Sequence, residues 1–268
     1  MVVFLGSLIL AVAISWLAYR ARSLSQSGAL AAAGLGTIVF GLGGFNWAVL
    51  LLGFFISSSG LSKLFDRRKE ALNEKFAKDS RRDAAQVLAN GGVGGIFVLL
   101  HLAFPEAVWP WIGFAGTIAA VNADTWATEL GVLSRSIPRL ISTGQRVERG
   151  TSGGVTIEGI LAAGAGASFI AGLAALLSPP GVGGSLGIFL VITFSGLAGS
   201  LVDSLMGATI QTIYFCPVCR KETEQHPLHI CENPTTRLRG WNWLNNDWVN
   251  TACALAGGLL AAGISFLA

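Results

Sequence analysis

Gly28–Ser62, GALAAAGLGTIVFGLGGFNWAVLLLGFFISSSGLS, contains no charged residue. It reads as two apolar helices, 28–43 and 45–62, joined by a tight turn at Gly43-Gly44-Phe45-Asn46. A helix of about 20 apolar residues spans the hydrocarbon core of a bilayer. No period-2 alternation is present, and in lipid only helices or closed barrels satisfy every backbone group. Outward from this pair the same pattern recurs at 2–19, 85–104, 109–132, 155–177, 185–211 and 249–267. The expected fold class is therefore all-α: a polytopic integral membrane bundle of about eight transmembrane helices. It forms a single domain over 1–268, with polar loops at about 63–84, 134–154 and 212–248.

Composition agrees. Of 268 residues, 52% are hydrophobic and 12% charged, and the mean hydropathy is +0.62. A soluble domain carries about 25% charged residues. The net charge of +3 is too small, and too confined to loops, to suggest nucleic acid. Four cysteines are too few for a disulfide scaffold. Arg20 and Arg22 follow the first apolar run instead of preceding it, so 2–19 is expected to be a retained span with its N-terminus outside.

The cations fix an orientation. Loop 20–27 holds two, loop 63–84 eight, loop 134–154 four and loop 212–248 four, which exhausts the 18 Lys and Arg residues. With eight spans all four loops fall on one side. The opposite loops, at Pro105-Glu106 and Ser178-Pro179-Pro180-Gly181, have no basic residue. Positive charge marks the cytoplasmic side. The expectation is an integral protein of a prokaryotic plasma membrane with its polar motifs facing the cytoplasm. Glycine and alanine recur along the spans, and small residues let helices approach closely in lipid.

Five constellations carry chemistry. Asn122-Ala123-Asp124-Thr125-Trp126-Ala127-Thr128-Glu129 closes the fifth span. An ionised carboxylate inside a span costs roughly 2.5–3.5 kcal/mol even on the lenient insertion scale, so two of them need partners. Asn122, Thr125 and Glu129 share a helical stripe and Asp124 lies off it. Either the helix breaks near Asp124, or the two acids serve different partners. Asp203-Ser204 puts a third acid on the seventh span. One or two carboxylates, with phosphate oxygens and water, are a usual Mg²⁺ shell. Asp124, Glu129 and Asp203 are thus the candidate metal-binding acids.

The loop Gln145-Arg146-Val147-Glu148-Arg149-Gly150-Thr151-Ser152-Gly153-Gly154 leads into a helix. Backbone N–H groups at a helix start attract anions, and arginine forks fit phosphate. Arg146, Arg149, Thr151, Ser152 and Gly153 are candidate phosphate ligands, although no Walker sequence is present. The loop after the third span begins at Lys63, and Arg81, Arg82 and Asn90 lie where the chain re-enters the membrane. In that loop Leu61, Phe65, Leu72 and Phe76 form a helical stripe, and Glu74 and Lys78 an i, i+4 pair. A surface helix drawn to anionic lipid and a phosphate cradle both fit it. Cys216-x-x-Cys219 with His226, His229 and Cys231 offers soft ligands for a tetrahedral structural zinc, the favoured set being Cys216, Cys219, His229 and Cys231. Asp247 and Asn250 open the last span beside Trp241, Trp243 and Trp248, whose side chains suit a membrane interface.

Three stretches, Arg82–Gly92, Ala123–Gly131 and Gly150–Thr156, together with Asn246-Asp247, resemble the membrane phytyl-phosphate kinase family of the vitamin E pathway. That family also includes transmembrane protein 19 and unassigned prokaryotic members. The resemblance covers nearly the whole chain. It implies phosphorylation of an isoprenyl monophosphate to the diphosphate, with CTP or another nucleoside triphosphate as donor and Mg²⁺. On this reading Asp124, Glu129 and Asp203 are the catalytic, Mg²⁺-holding acids. Lys63, Arg81, Arg82, Asn90, Asn122, Arg146, Arg149, Thr151, Ser152 and Gly153 bind phosphate or nucleotide. Membrane lipid is the other partner, and a homodimer is left open. A transporter of an anion or lipid-linked phosphate, and a CDP-lipid-forming cytidylyltransferase, draw on the same residues.

Overall fold

A computed structural model describes residues 2–69, 75–76, 81–178 and 185–267. Leu72, Glu74, Lys78 and Pro179-Pro180-Gly181 lie outside the described residues, and with them the stripe and the ion pair expected after the third span. The described helices are α1 (Val2–Arg20), α2 (Gln26–Ile38), α3 (Phe45–Lys69), α4 (Ala84–Ala103), α5 (Trp109–Gly131), α6 (Ile157–Leu176), α7 (Ser185–Thr209) and α8 (Asn246–Leu267). They fall on the eight expected segments. Among the described residues six stretches, on α2 with the turn after it, α3, α4, α6, α7 and α8, are long and apolar enough to cross a membrane. Their outward faces expose Ile56, Leu161, Leu190 and Leu259, the surface a helix presents to lipid rather than to water.

α5 is the axis of the bundle. Every residue from Pro110 to Ala123 is buried, enclosed by α3, α4, α6, α7 and α8. Small residues make this possible: a Cβ at Gly116 would sit 2.6 Å from the Gly257 carbonyl of α8. Around it Trp47, Phe97, Trp111, Phe114 and Ile118 form the main core. α1 packs on α2, and α2 on α4. The turn expected at Gly43-Gly44 is present. A π-helical turn, Val39–Gly43, ends α2, Gly44 takes φ +87°, and α3 starts at the next residue.

Two local expectations change. The third helix runs to Lys69, so the start of the expected loop 63–84 is its last two turns. The polar loops are also not free of strand. β1 (Arg139–Leu140) pairs with β2 (Gly154–Val155), and β3 (Ile213–Cys216) lies between β4 (Lys221–Thr223) and β5 (Thr236–Arg239), all antiparallel.

The four basic loops meet at one end. Ser25 N–H donates to the Arg82 carbonyl at 3.0 Å, and Arg82 N–H to the Ser23 carbonyl at 3.1 Å, tying the α1–α2 joint to the start of α4. Lys75 Nζ donates to Glu148 at 2.8 Å, and Glu224 N–H to the Lys75 carbonyl at 2.8 Å. At the far end Trp109 stacks on Phe266, 5.6 Å between ring centres.

Candidate active site

A cavity of about 350 Å³ opens at the end where the basic loops meet, walled by α3–α8 and those loops. α5 brings Asp124 and Glu129 to it, α7 Asp203 and Ser204, and α8 Asp247 and Asn250. α5 runs unbroken through Asp124, so both of its acids reach one cavity from a continuous helix. Glu129 is buried and accepts from Ser62 Oγ at 2.8 Å. Asp203 Oδ2 is buried without a hydrogen-bond partner among the described residues.

Arg82 lines the same cavity, within the field of Glu129. Asp83 caps α4: its carboxylate accepts from Gln86 N–H at 2.9 Å, and Gln86 Oε1 accepts from Asp83 N–H at 3.1 Å. This capping box, with the strand-like pairing to Ser23 and Ser25, fixes the Arg82 backbone. The guanidinium lies over Phe54 and Phe55, 5.2 and 5.9 Å from the ring centres. Burial lowers its pKa to about 10, against the field of Glu129, so it stays charged at neutral pH. Its Nη1 is buried with no hydrogen-bond partner among the described residues.

The glycine-rich loop forms a third wall with Arg149, Gly150, Thr151, Ser152, Gly153 and Gly154. Gly150 and Gly153 take φ +77° and +79°, which a side chain disfavours. Thr156 then caps α6, its Oγ1 accepting from Gly159 N–H at 3.0 Å. Arg239 Nη1 donates to the Gly207 carbonyl at 2.7 Å, and its Nη2 lies 3.5 Å from the Ser152 carbonyl, so β5 braces the loop against the end of α7.

Of the phosphate-binding residues expected from sequence, Arg82, Asn90, Arg149, Thr151, Ser152 and Gly153 line the cavity. Four do not. Lys63 Nζ donates to the Ala21 carbonyl at 2.6 Å, strapping α3 to the α1–α2 joint. Arg81 is exposed, and Arg146 is exposed in a bridge to Arg139. Asn122 is fully buried, accepting from Ser57 Oγ at 2.9 Å and donating to the Gly166 carbonyl at 2.8 Å. It joins α3, α5 and α6 and is not among the residues that line the cavity. Sequence reasoning missed Glu224, Gln211 and Arg239. Nothing separates Glu224 from an ordinary surface acid of a strand-rich loop until the loop is folded over the cavity.

The Cys/His loop is compact. The ligand atoms of Cys216, Cys219, His229 and Cys231 all lie within 4.8 Å of one another, a group that could hold a metal ion. Cys216 Sγ and Cys231 Sγ are 3.6 Å apart, and His229 Nδ1 is 3.3 Å from Cys231 Sγ. Hydrogen bonds from Asn233 and His229 lower the Cys231 thiol to about 6, whereas the bond to Cys231 raises Cys219 to about 11. His226 stays out of the group. It stacks on Tyr214 at 4.3 Å, and its Nδ1 lies 3.3 Å from Thr235 Oγ1.

Apolar outer faces around a polar, acid-lined cavity at one end define an integral membrane protein. The chain belongs to the DUF92 family of integral membrane proteins, whose pattern matches residues 9–258. It is 37% identical over 260 residues to Protein PGR of Arabidopsis thaliana, covering 88% of this chain and 87% of that one. It is 38% identical over 192 residues to an uncharacterized membrane protein of Methanocaldococcus jannaschii, covering 72% and 76%. Protein VTE6, chloroplastic, of Arabidopsis thaliana is 26% identical over 247 residues, covering 89% of this chain and 64% of that protein. The resemblance carried by residues 82–92, 123–131 and 150–156 thus holds at the level of the family. No solved structure matches the chain.

Proposed function

We propose that this protein is a kinase that converts an isoprenyl monophosphate, such as phytyl or geranylgeranyl phosphate, to the diphosphate. CTP or another nucleoside triphosphate is the donor. The observation that carries the reading is the charge of the cavity: Asp124, Glu129, Asp203, Glu224 and Asp247 against Arg82 and Arg149. Five carboxylates facing two guanidiniums repel a polyphosphate unless a cation bridges them. The buried Asp203 Oδ2, without a partner among the described residues, supports the same point, since such an atom is costly without a ligand. Hard carboxylate oxygens suit Mg²⁺. Asp124 and Asp203, with Glu129 beside them, would hold it. When bound, the ion neutralises donor phosphate charge.

The chain's own residues do the rest by position. The amides of Gly150–Gly154, ahead of α6, and Arg149 suit the donor phosphates. Arg82 suits the acceptor phosphate. An acceptor oxygen attacks the γ-phosphorus, and the bond to the β–γ bridging oxygen breaks with its electron pair leaving on the nucleoside diphosphate. The acceptor is already an anion, so no strong base is needed. Phosphoryl transfer rests mainly on positioning and electrostatics. The concentration of Lys and Arg in the loops at this end supports a cytoplasmic placement of the site. Zinc is the proposed metal of the Cys/His group. Sulfurs at about 2.3 Å from a tetrahedral ion lie about 3.8 Å apart, close to the separation of Cys216 and Cys231.

The test uses purified protein in detergent with Mg²⁺, geranylgeranyl phosphate and γ-labelled CTP or ATP. Label is expected in the prenyl diphosphate, and its loss in Asp124→Asn. No transfer to any prenyl chain length from either donor would overturn the kinase and favour a transporter. Release of inorganic diphosphate would favour the cytidylyltransferase.

A further inference from the structure

A second cavity, of about 160 Å³, lies between α1, α2, α3 and α4. Its wall is apolar except for Ser15 and three residues at one end, Arg82, Gln86 and Asn90. Those same three line the polar cavity, so the two cavities share one boundary. Gln86 and Asn90 are four apart on α4 and occupy one stripe of that helix. Asn90 Nδ2 donates to the Gln86 carbonyl at 2.9 Å, and Gln86 is held in the capping box.

We infer that this groove binds the hydrocarbon chain of the isoprenyl monophosphate, with its phosphate at Arg82; the inference rests on the kinase reading for the identity of the headgroup. Charge complementarity commits the groove to that occupant. Among the described residues Arg82 is the one charged residue on its wall, and its Nη1 atom is buried with no partner there. A phosphate monoester supplies the missing acceptor, and its free oxygens face the acid-lined cavity beyond. A diacyl phospholipid fits less well. It has two chains for one groove, and an alcohol group occupies the oxygen that has to face the donor. The arrangement also orders the site: the acceptor enters sideways from lipid through α1–α4, and the donor enters past the glycine-rich loop.

The experiment places the full chain in nanodiscs with a geranylgeranyl monophosphate analogue carrying a diazirine on its chain. Photolabel is expected on peptides from α1–α4. Unlabelled geranylgeranyl phosphate competes at least tenfold better than geranylgeraniol or phosphatidylglycerol. Ala48, on the groove wall, gives a second readout: Ala48→Trp lowers kcat/KM for geranylgeranyl phosphate relative to dimethylallyl phosphate at least tenfold. Label on α5–α8, or equal competition by phosphatidylglycerol, overturns the assignment. So does an unchanged chain-length ratio in Ala48→Trp. If no prenyl phosphate is phosphorylated yet phosphate-dependent labelling of the groove persists, the kinase reading falls and the binding site stands.

Discussion

Ser152 Oγ donates to Gln211 Oε1 at 2.6 Å, joining the glycine-rich loop to the second residue past the end of α7. Gln211 is 1% exposed and passes the connection on, its Nε2 donating to Glu224 Oε1 at 2.8 Å. One buried amide therefore sets the loop that faces the donor phosphates and an acid that reaches the cavity from the Cys/His loop. Gln211→Leu removes both bonds, each contributing about 0.5–1.5 kcal/mol net. The expected result is a lower thermal midpoint and a rise in KM for the nucleotide of about tenfold or more, with a smaller change for the prenyl phosphate. An equal change in both KM values would show that the relay does not act on the donor side.

Gly153 makes a sharper demand. With φ at +79°, a Cβ there would lie 2.3 Å from Ala208 N on α7. Gly153→Ala has to move backbone against backbone, and a non-glycine residue in this conformation costs about 1–3 kcal/mol. The bundle is expected to assemble, because the main core around residues 110–121 of α5 includes no residue of the loop. Activity should fall at least tenfold. Gly164→Ala is the control, since a Cβ there meets nothing within 4 Å. It should leave both activity and thermal midpoint near those of the parent protein.

The helices were legible in the sequence because lipid forces one answer: long uncharged runs have to be helices, and their ends follow the charges. The acids were legible for the same reason, because Asp124, Glu129 and Asp203 stand out against apolar neighbours. Asn122 stood out equally, yet its amide joins three helices. Helix phase alone does not tell a cavity-facing amide from an interhelical one. Lys63 and Arg146 were misplaced because a loop's charge count carries no direction. Glu224 was invisible because a short antiparallel sheet carries it over the cavity, and the spacing of cysteines does not report how that sheet docks.

The Cys/His group sets up a metal-removal prediction. Glu224 directly follows β4, which pairs with β3 at Cys216↔Lys221 and Phe215↔Glu222, so the ligand cysteine and the cavity acid belong to one small sheet. Protein purified without chelator is expected to carry about one zinc per chain by elemental analysis. Cys219→Ser, or a strong chelator, should release it, lower the thermal midpoint and weaken transfer without abolishing prenyl-phosphate binding. A zinc-free protein with unchanged stability would make these thiols ordinary cysteines.

Asp203→Asn separates stability from activity. When ionised, Asp203, Asp124 and Glu224 repel one another around one cavity, and Asp203 Oδ2 has no hydrogen-bond partner among the described residues. Removing one carboxylate relieves that repulsion and leaves a neutral group that is cheaper to bury. In EDTA the variant should therefore unfold at a higher temperature than the parent. Adding Mg²⁺ should reverse the order, because an ion that binds only the folded state stabilises it by mass action, and the variant has lost a ligand. Transfer should fall at least a hundredfold at saturating Mg²⁺. Thermal scans of both proteins across a Mg²⁺ titration check the crossing. Parallel curves would mean that Asp203 holds no metal and that its carboxylate serves packing alone.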